Sequence, residues 1–383
     1  MNEIIFSKLA THLIIKRQQV KKTIFTLLLF LPAYIFGQVD NGQLSADEIK
    51  YRDSIAALNL QNKQLVEAQE SYNQGIAKYQ TKDFQGAIQQ FDKALLLKPD
   101  FGKAMYNRAI AKYDAKDYQG ALNDFDKAIP IFEDPLKARF KKAQTAVMTN
   151  DFKLAEGVYQ EIIKSNPNDY TAWYEMCGVR FLAGNYSDAL NAINKSLEIK
   201  PDNAKALNDR ASCKRKLDDL QGAVADLEKA LIIDSKQAYI YNNLGSTRKK
   251  LKDFPAAITA YSKAIAVDPN YFFAYNNRGT VYTEQGNYEK ALPDFEKALQ
   301  LNPDYAISYN NKGIVYNRKE KYDLAIKEFN KAIEINPSYG VAFLNRGIAN
   351  EMNGDAEKAC SDWAKAKQLG VQQAGNYQSQ ECE

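Results

Sequence analysis

Residues 275–304 read YNNRGTVYTEQGNYEKALPDFEKALQLNPD, and this stretch decides the fold. It holds Gly279, Tyr282, Ala291, Phe295, Ala298 and Pro303, and 34 residues later stand Gly313, Tyr316, Ala325, Phe329, Ala332 and Pro337. With residue 272 taken as position 1, the frame runs from 68 to 373 as nine units with no residue inserted or deleted. Such a period marks a stacked array in which each unit touches only its neighbours. It overrides the two or three globular domains that 383 residues would otherwise suggest.

The spacing has a physical reading. Position 8 is small throughout (Gly75, Ala109, Ala143, Cys177, Ala211, Gly245, Gly279, Gly313, Gly347), and position 20 is alanine in all nine units. Facing small residues allow two helices to approach, and the large side chain at position 24 (Phe91, Phe125, Tyr159, Phe295, Phe329, Trp363) fills the space beside them. Position 16 is Asp or Asn in eight of nine units, which predicts an N-cap for the second helix. Proline at position 32 in six units ends that helix.

This pattern resembles the tetratricopeptide repeat, a 34-residue helix-turn-helix unit. The resemblance implies an all-α, right-handed solenoid of nine repeats over 68–373; residues 39–67 read as one helix that leads into, or is continuous with, the first repeat, and 374–383 as the end of a C-terminal capping helix. It also implies a concave groove lined by the first helices, with positions 2, 5, 6, 9, 12 and 13 facing inward. Departures mark irregular places. Pro130 comes early and Glu133 replaces the usual proline, so the second helix of unit 2 should stop short, with a joint at 129–136. Pro293, inside a second helix, should produce a mild kink.

Residues 1–38 lie outside the frame. Lys21 and Lys22 precede TIFTLLLFLPAYIFG, which reads as a Sec-type signal peptide cleaved near Gly37, with translation expected to begin at Val20. No Cys follows the apolar run, so a lipid-anchored variant is not expected, and the run is short for a membrane span. The expected location is the periplasm or the exterior. Loss of 1–38 removes five basic residues and one acidic residue and leaves 46 of each sign. A near-neutral chain has no basic footprint for nucleic acid. Over 39–67, Ser45 and Glu48 form a capping-box pattern, and Ile49, Ile55, Leu58, Leu60 and Leu65 form an apolar stripe. The stripe is expected to cap the open end of the array, a dimerising coiled coil being the alternative.

The only histidine is His12, so after export no imidazole remains for a triad, a proton shuttle or a metal. No phosphate-binding glycine loop follows a strand, and no cofactor is implied; the chain is expected not to be an enzyme. Positions 7 and 23 change together: Arg108 with Asp124, Arg210 with Asp226, Arg278 with Asp294, Arg346 with Asp362, Lys312 with Glu328, but Met176 with Ala192 and Leu244 with Ala260. These read as structural ion pairs within each unit, worth about 0–1 kcal/mol each if exposed.

Position 6 is the binding candidate: Asn73, Asn107, Asn243, Asn277, Asn311 and Asn345, flanked at position 5 by Asn242, Asn276 and Asn310. A carboxamide offers two donors and an acceptor, so a ladder of them can hold the main chain of an extended peptide. It resembles the asparagine ladder in the repeats of the enzyme that transfers N-acetylglucosamine to Ser and Thr, whose catalytic domain has no counterpart here. The alternative is that these residues bond neighbouring helices. The ladder is interrupted at Lys141, Glu175 and Asp209. Units 1–4 offer Tyr72, Tyr79, Tyr106, Tyr113, Phe140, Tyr174 and Phe181 inward, and a basic cluster (Lys205, Arg215, Lys216, Lys249, Lys250) follows. Cys177 and Cys213 are expected as free core thiols, whereas Cys360 and Cys382 reach similar heights on a C-terminal hairpin and can form a disulfide there. The expected function is a non-catalytic exported scaffold binding a peptide or protein in the groove; the alternative is a permanent subunit of a cell-envelope or secretion assembly.

Overall fold

The computed structural model describes residues 45–382, and every regular element among them is a helix. The expected signal peptide, with Val20 and His12, and residues 39–44 of the N-terminal segment lie outside the described residues. The first helix runs unbroken from Ala46 to Gln80 and supplies both the N-terminal segment and the first helix of unit 1. Its start is fixed by the capping box, in which the Glu48 N–H donates to Ser45 Oγ at 3.3 Å and the Ser45 N–H to Glu48 Oε2 at 2.9 Å.

Helix pairs such as Phe272–Glu284 with Tyr288–Leu301 then repeat to Gln368, and a final helix, Gln373–Glu381, folds back on the second helix of unit 9. The pairs close as tightly as the small residues require: a Cβ on Gly279 would stand 2.9 Å from Phe295 Cε1, and one on Gly313 2.6 Å from Phe329 Cε1. Ala291, Phe295, Ala325 and Phe329 are wholly buried. Seven of the eight position-16 Asp or Asn side chains accept a backbone N–H from the first turn of the following helix; Asn185 does not. Position 15, between the helices, is left-handed in every unit, even where the residue is Lys82, Lys116, Lys252 or Glu320.

Two local expectations have outcomes here. The second helix of unit 2 stops early, at Ala128, and a turn leads to Pro135 behind the Asp134 cap. Phe132, in that turn, stacks on Tyr106 with ring centroids 4.4 Å apart. Pro293 lies inside a helix that keeps the 14 residues of its neighbours. The N-terminal stripe does not cap the array: Ile49, Ile55, Leu58, Leu60 and Leu65 are 39–58% exposed. With no Gly or Pro between 46 and 68 the helix cannot turn back, so it projects from the array. The open end is instead covered by polarity, through exposed Glu70 and Gln74.

The pairs at positions 7 and 23 form, but they are not exposed. Arg278 Nε and Nη2 donate to the two carboxylate oxygens of Asp294 at 2.9 and 2.7 Å, and the Asp294 side chain is only 8% exposed. Arg108, Arg210 and Arg346 repeat the fork on Asp124, Asp226 and Asp362. Each arginine also reaches backward: Nη1 donates to Asp92, Asn194, Ser262 or Asn330 on the preceding second helix. One side chain therefore joins three helices of two units.

Candidate functional site

Between units 1 and 2 and along units 5–9, first helices of successive units approach one another more closely than second helices do, which puts the first helices on the inside of the curve there. The position-6 asparagines lie there, and all but Asn73 are bonded backward to position 5 of the preceding unit. Asn243 Nδ2 donates to Asn208 Oδ1 (2.8 Å), Asn277 to Asn242 (2.9 Å), Asn311 to Asn276 (3.0 Å) and Asn345 to Asn310 (2.9 Å). Asn107 donates to Tyr72 Oη at 2.9 Å, and at the interruption the Tyr174 hydroxyl donates to Asp209. Asn73 has no preceding unit; it accepts from Gln69 within its own helix and is exposed.

The position-5 residues are therefore not on the groove floor. Asn276 and Asn310 are 3% and 2% exposed, and Asn276 Oδ1 also accepts from Ser308 Oγ. A carboxamide needs such partners once buried. Asn243, Asn277, Asn311 and Asn345 remain partly exposed. The relay uses one amide hydrogen of Asn243, Asn277 and Asn345, while Asn311 Nδ2 donates to Thr280 Oγ1 as well at 3.3 Å; the Asn277 and Asn311 carbonyls accept from Asn276 and Asn310 at 3.3 and 3.4 Å and keep a second lone pair.

Beside them runs a row that the sequence reading missed. Phe273, Ile307 and Val341 occupy position 2 of units 7–9 and are 39%, 40% and 41% exposed. Each lies four residues, one helical turn, before its asparagine: Phe273 before Asn277, Ile307 before Asn311 and Val341 before Asn345. The signal was available as three large apolar residues 34 apart at a position that should face the groove.

The N-terminal aromatics mostly pack instead of facing outward. Tyr106 is buried against Phe132, Tyr72 sits against Phe91 and Phe101, and the Tyr79 hydroxyl donates to Asp114. Burial and then Asp114 push the Tyr79 hydroxyl up to about 12. At the inward positions of this half the exposed large apolar side chains are Met148 and Leu182, both at position 13.

The basic cluster is partly engaged. Lys249 pairs with Glu284 at 3.0 Å, and Lys205 and Lys216 lie over the rings of Tyr174 and Tyr186. Arg215 Nε is buried without a hydrogen-bond partner among the described residues, and desolvation lowers its guanidinium from the usual arginine value. Glu175, near Lys141 and Lys205, is raised by burial despite both lysines.

Cys177 and Cys213 are buried thiols with sulfurs 3.9 Å apart, and Cys177 is raised by its contact with Cys213 and by burial. Cys360 and Cys382 form a disulfide with Cα atoms 5.7 Å apart, tying the last helix to unit 9. Among the described residues there is no cluster of three or more potential metal ligands, and no helix is long and apolar enough to cross a membrane.

Comparison with known proteins agrees with this geometry. Models described as tetratricopeptide repeat match residues 72–135, 179–238, 272–305 and 306–339, and one described as TPR repeat matches 248–286. None of the curated proteins compared matches the chain. A tetratricopeptide repeat protein from Parabacteroides merdae is 18% identical with a TM-score of 0.55, the alignment covering 63% of this chain and 97% of that one. The anaphase-promoting complex hetero-tetramer Cut9–Hcn1 is 14% identical with a TM-score of 0.54, covering 88% and 82%. MamA is 30% identical over 41% of this chain and 92% of its own, with a TM-score of 0.38. The repeat frame, the helix pairs closed on glycine and alanine, and these matches together show that the chain belongs to the tetratricopeptide repeat family.

Proposed function

We propose that this protein is a non-catalytic exported scaffold that holds an extended segment of a protein partner in the C-terminal half of its concave groove. The observation that carries this is the double row in units 7–9, where Phe273, Ile307 and Val341 run beside Asn277, Asn311 and Asn345. The amides bond the partner's main chain, and the apolar row receives its side chains. Packed helices stand about 8–10 Å apart, which three extended residues span at roughly 3.3 Å each. The segment therefore carries an apolar side chain about every third residue. The leader-like run after Lys22 and the Cys360–Cys382 pair support an oxidising compartment, the periplasm or the exterior.

A second reading, a permanent subunit of an envelope assembly, is favoured by Leu96 and Ile232. They stand at the same position of two second helices and are 82% and 85% exposed. Affinity capture from envelope extract separates the two. Loss of the partner in a Phe273→Ser, Ile307→Ser, Val341→Ser variant supports the groove. Loss only in Leu96→Ser, Ile232→Ser supports the second reading.

A further inference from the structure

We propose that the projecting part of the first helix pairs in parallel with the same helix of a second copy of this chain. Residues 46–66 are exposed along their whole length. A helix of this size is marginal in water unless an apolar face is covered.

The face has the spacing of a coiled-coil seam. Tyr51, Ile55, Leu58, Asn62 and Leu65 follow one another at intervals of four, three, four and three residues. That is the alternation of a and d positions in a heptad, with Ile55 and Asn62 at a and Tyr51, Leu58 and Leu65 at d. Tyr51, Ile55, Leu58 and Leu65 are 68%, 40%, 51% and 41% exposed. The seam lies on the same side of the helix as Gln69 and Asn73, both exposed, so a partner helix can follow it to the edge of the array.

The residue types identify the occupant. A β-branched residue at a with leucine at d favours two parallel strands, and one asparagine at an a position fixes register. In a parallel, in-register pair Asn62 meets Asn62 of the partner subunit, and the two amides satisfy each other. In an offset or antiparallel pair it would face an apolar layer.

The flanking charges agree. Asp47 falls at g and Arg52 at the following e, positions that meet across a parallel pair, so Asp47 faces Arg52 of the partner subunit, twice by symmetry. Among the described residues of one chain Arg52 makes only a surface pair with Asp53 at 3.3 Å, both side chains being more than 60% exposed. The remaining g–e pairings, Ser54 with Asn59 and Gln61 with Val66, bring no like charges together.

The seam is short. About 21 residues at ~1.5 Å rise span roughly 32 Å and hide on the order of 600 Å² per chain, near the lower edge of the ~800 Å² per partner of standard interfaces. The array already holds the C-terminal half of the helix in shape, which lowers the cost of nucleation. The result is a reversible dimer with both arrays on one stalk, so a partner carrying two segments is held at both grooves.

The test is the mass of the full chain, as a host cell leaves it, by light scattering at roughly 100 μM and 1 μM. The expected result is a dimer at the higher concentration that Leu58→Asp weakens at least tenfold, with the circular dichroism of the array unchanged. Leu58→Cys should cross-link two chains on oxidation, while Leu60→Cys, on the opposite side of the helix, should not. A monomer at the higher concentration, or a dimer indifferent to Leu58→Asp, overturns the proposal. A dimer that fails to cross-link at position 58 overturns the parallel arrangement.

Discussion

Arg278 lies midway in sequence between Ser262 and Asp294, sixteen residues from each, and holds both: Nη1 donates to Ser262 Oγ at 2.9 Å while Nε and Nη2 clasp the Asp294 carboxylate. Removing one member leaves a buried charge without compensation. Arg278→Ala is expected to cost about 3–5 kcal/mol, the range for breaking a buried pair. Arg278→Leu with Asp294→Ala, the combination present at Leu244 and Ala260, should cost much less. Urea unfolding of the three proteins measures this; equal losses in single and double variants would contradict the account.

The left-handed residue between helices gives a stabilising change. Lys252 has φ 61°, where Gly286 occupies the same place one unit later at φ 74°. A Cβ in this region costs roughly 1–2 kcal/mol. Lys252→Gly is therefore expected to raise the urea midpoint and Gly286→Lys to lower it.

Glu175 gives a pH dependence. Burial raises its carboxyl above the ordinary value, with Lys205 and Lys141 opposing, so the folded state holds the proton more tightly than the unfolded chain. The group's contribution is full below the unfolded value of about 4.3 and is lost as pH rises through the higher folded value. Glu175→Gln should raise the melting temperature at pH 7 and leave it unchanged near pH 3. A lower melting temperature at pH 7 would mean that the two lysines outweigh the desolvation.

The Cys360–Cys382 bond closes a loop with a sequence separation of 22 and holds Tyr377 stacked on buried Trp363, ring centroids 5.2 Å apart. Chain entropy assigns such a loop about 3 kcal/mol. Cys382→Ser should release the last helix, seen as faster amide exchange over 373–381 and a red shift of Trp363 emission, recorded with Trp173→Phe to remove the other tryptophan. The earlier units should keep their protection, because each contacts only its neighbours.

Much of the fold was legible because one 34-residue frame carries its own repeats: the caps at position 16, the closure on Gly279 and Phe295, and the Arg278–Asp294 pair all lie within a unit. What was missed lies between units. Ser262 precedes Arg278 by sixteen residues, so that contact does not appear when a unit is read alone; the relay from Asn277 to Asn242 spans 35 and was legible only as the alternative that the asparagines bond neighbouring helices. The N-terminal stripe reads from sequence as a cap for the open end, with a dimerising coiled coil as the alternative. Only the unbroken helix from Ala46 to Gln80 shows that its residues cannot reach the array. The groove was half legible: Asn277 and Asn311 stand out as repeated carboxamides, while Phe273 and Ile307 do not, position 2 being polar from Gln69 to Lys205 in units 1–5.

The central claim is that units 7–9 bind an extended, apolar-spaced segment, and peptide titration tests it most directly. A peptide selected from a random library on the wild-type protein would be titrated calorimetrically against wild type, Phe273→Ser, Ile307→Ser and Val341→Ser. Each variant loses one apolar contact of about 1.5–3 kcal/mol, so Kd should rise about tenfold or more in each, with the helical content unchanged. Affinities equal to wild type in all three would place the peptide elsewhere and contradict the account.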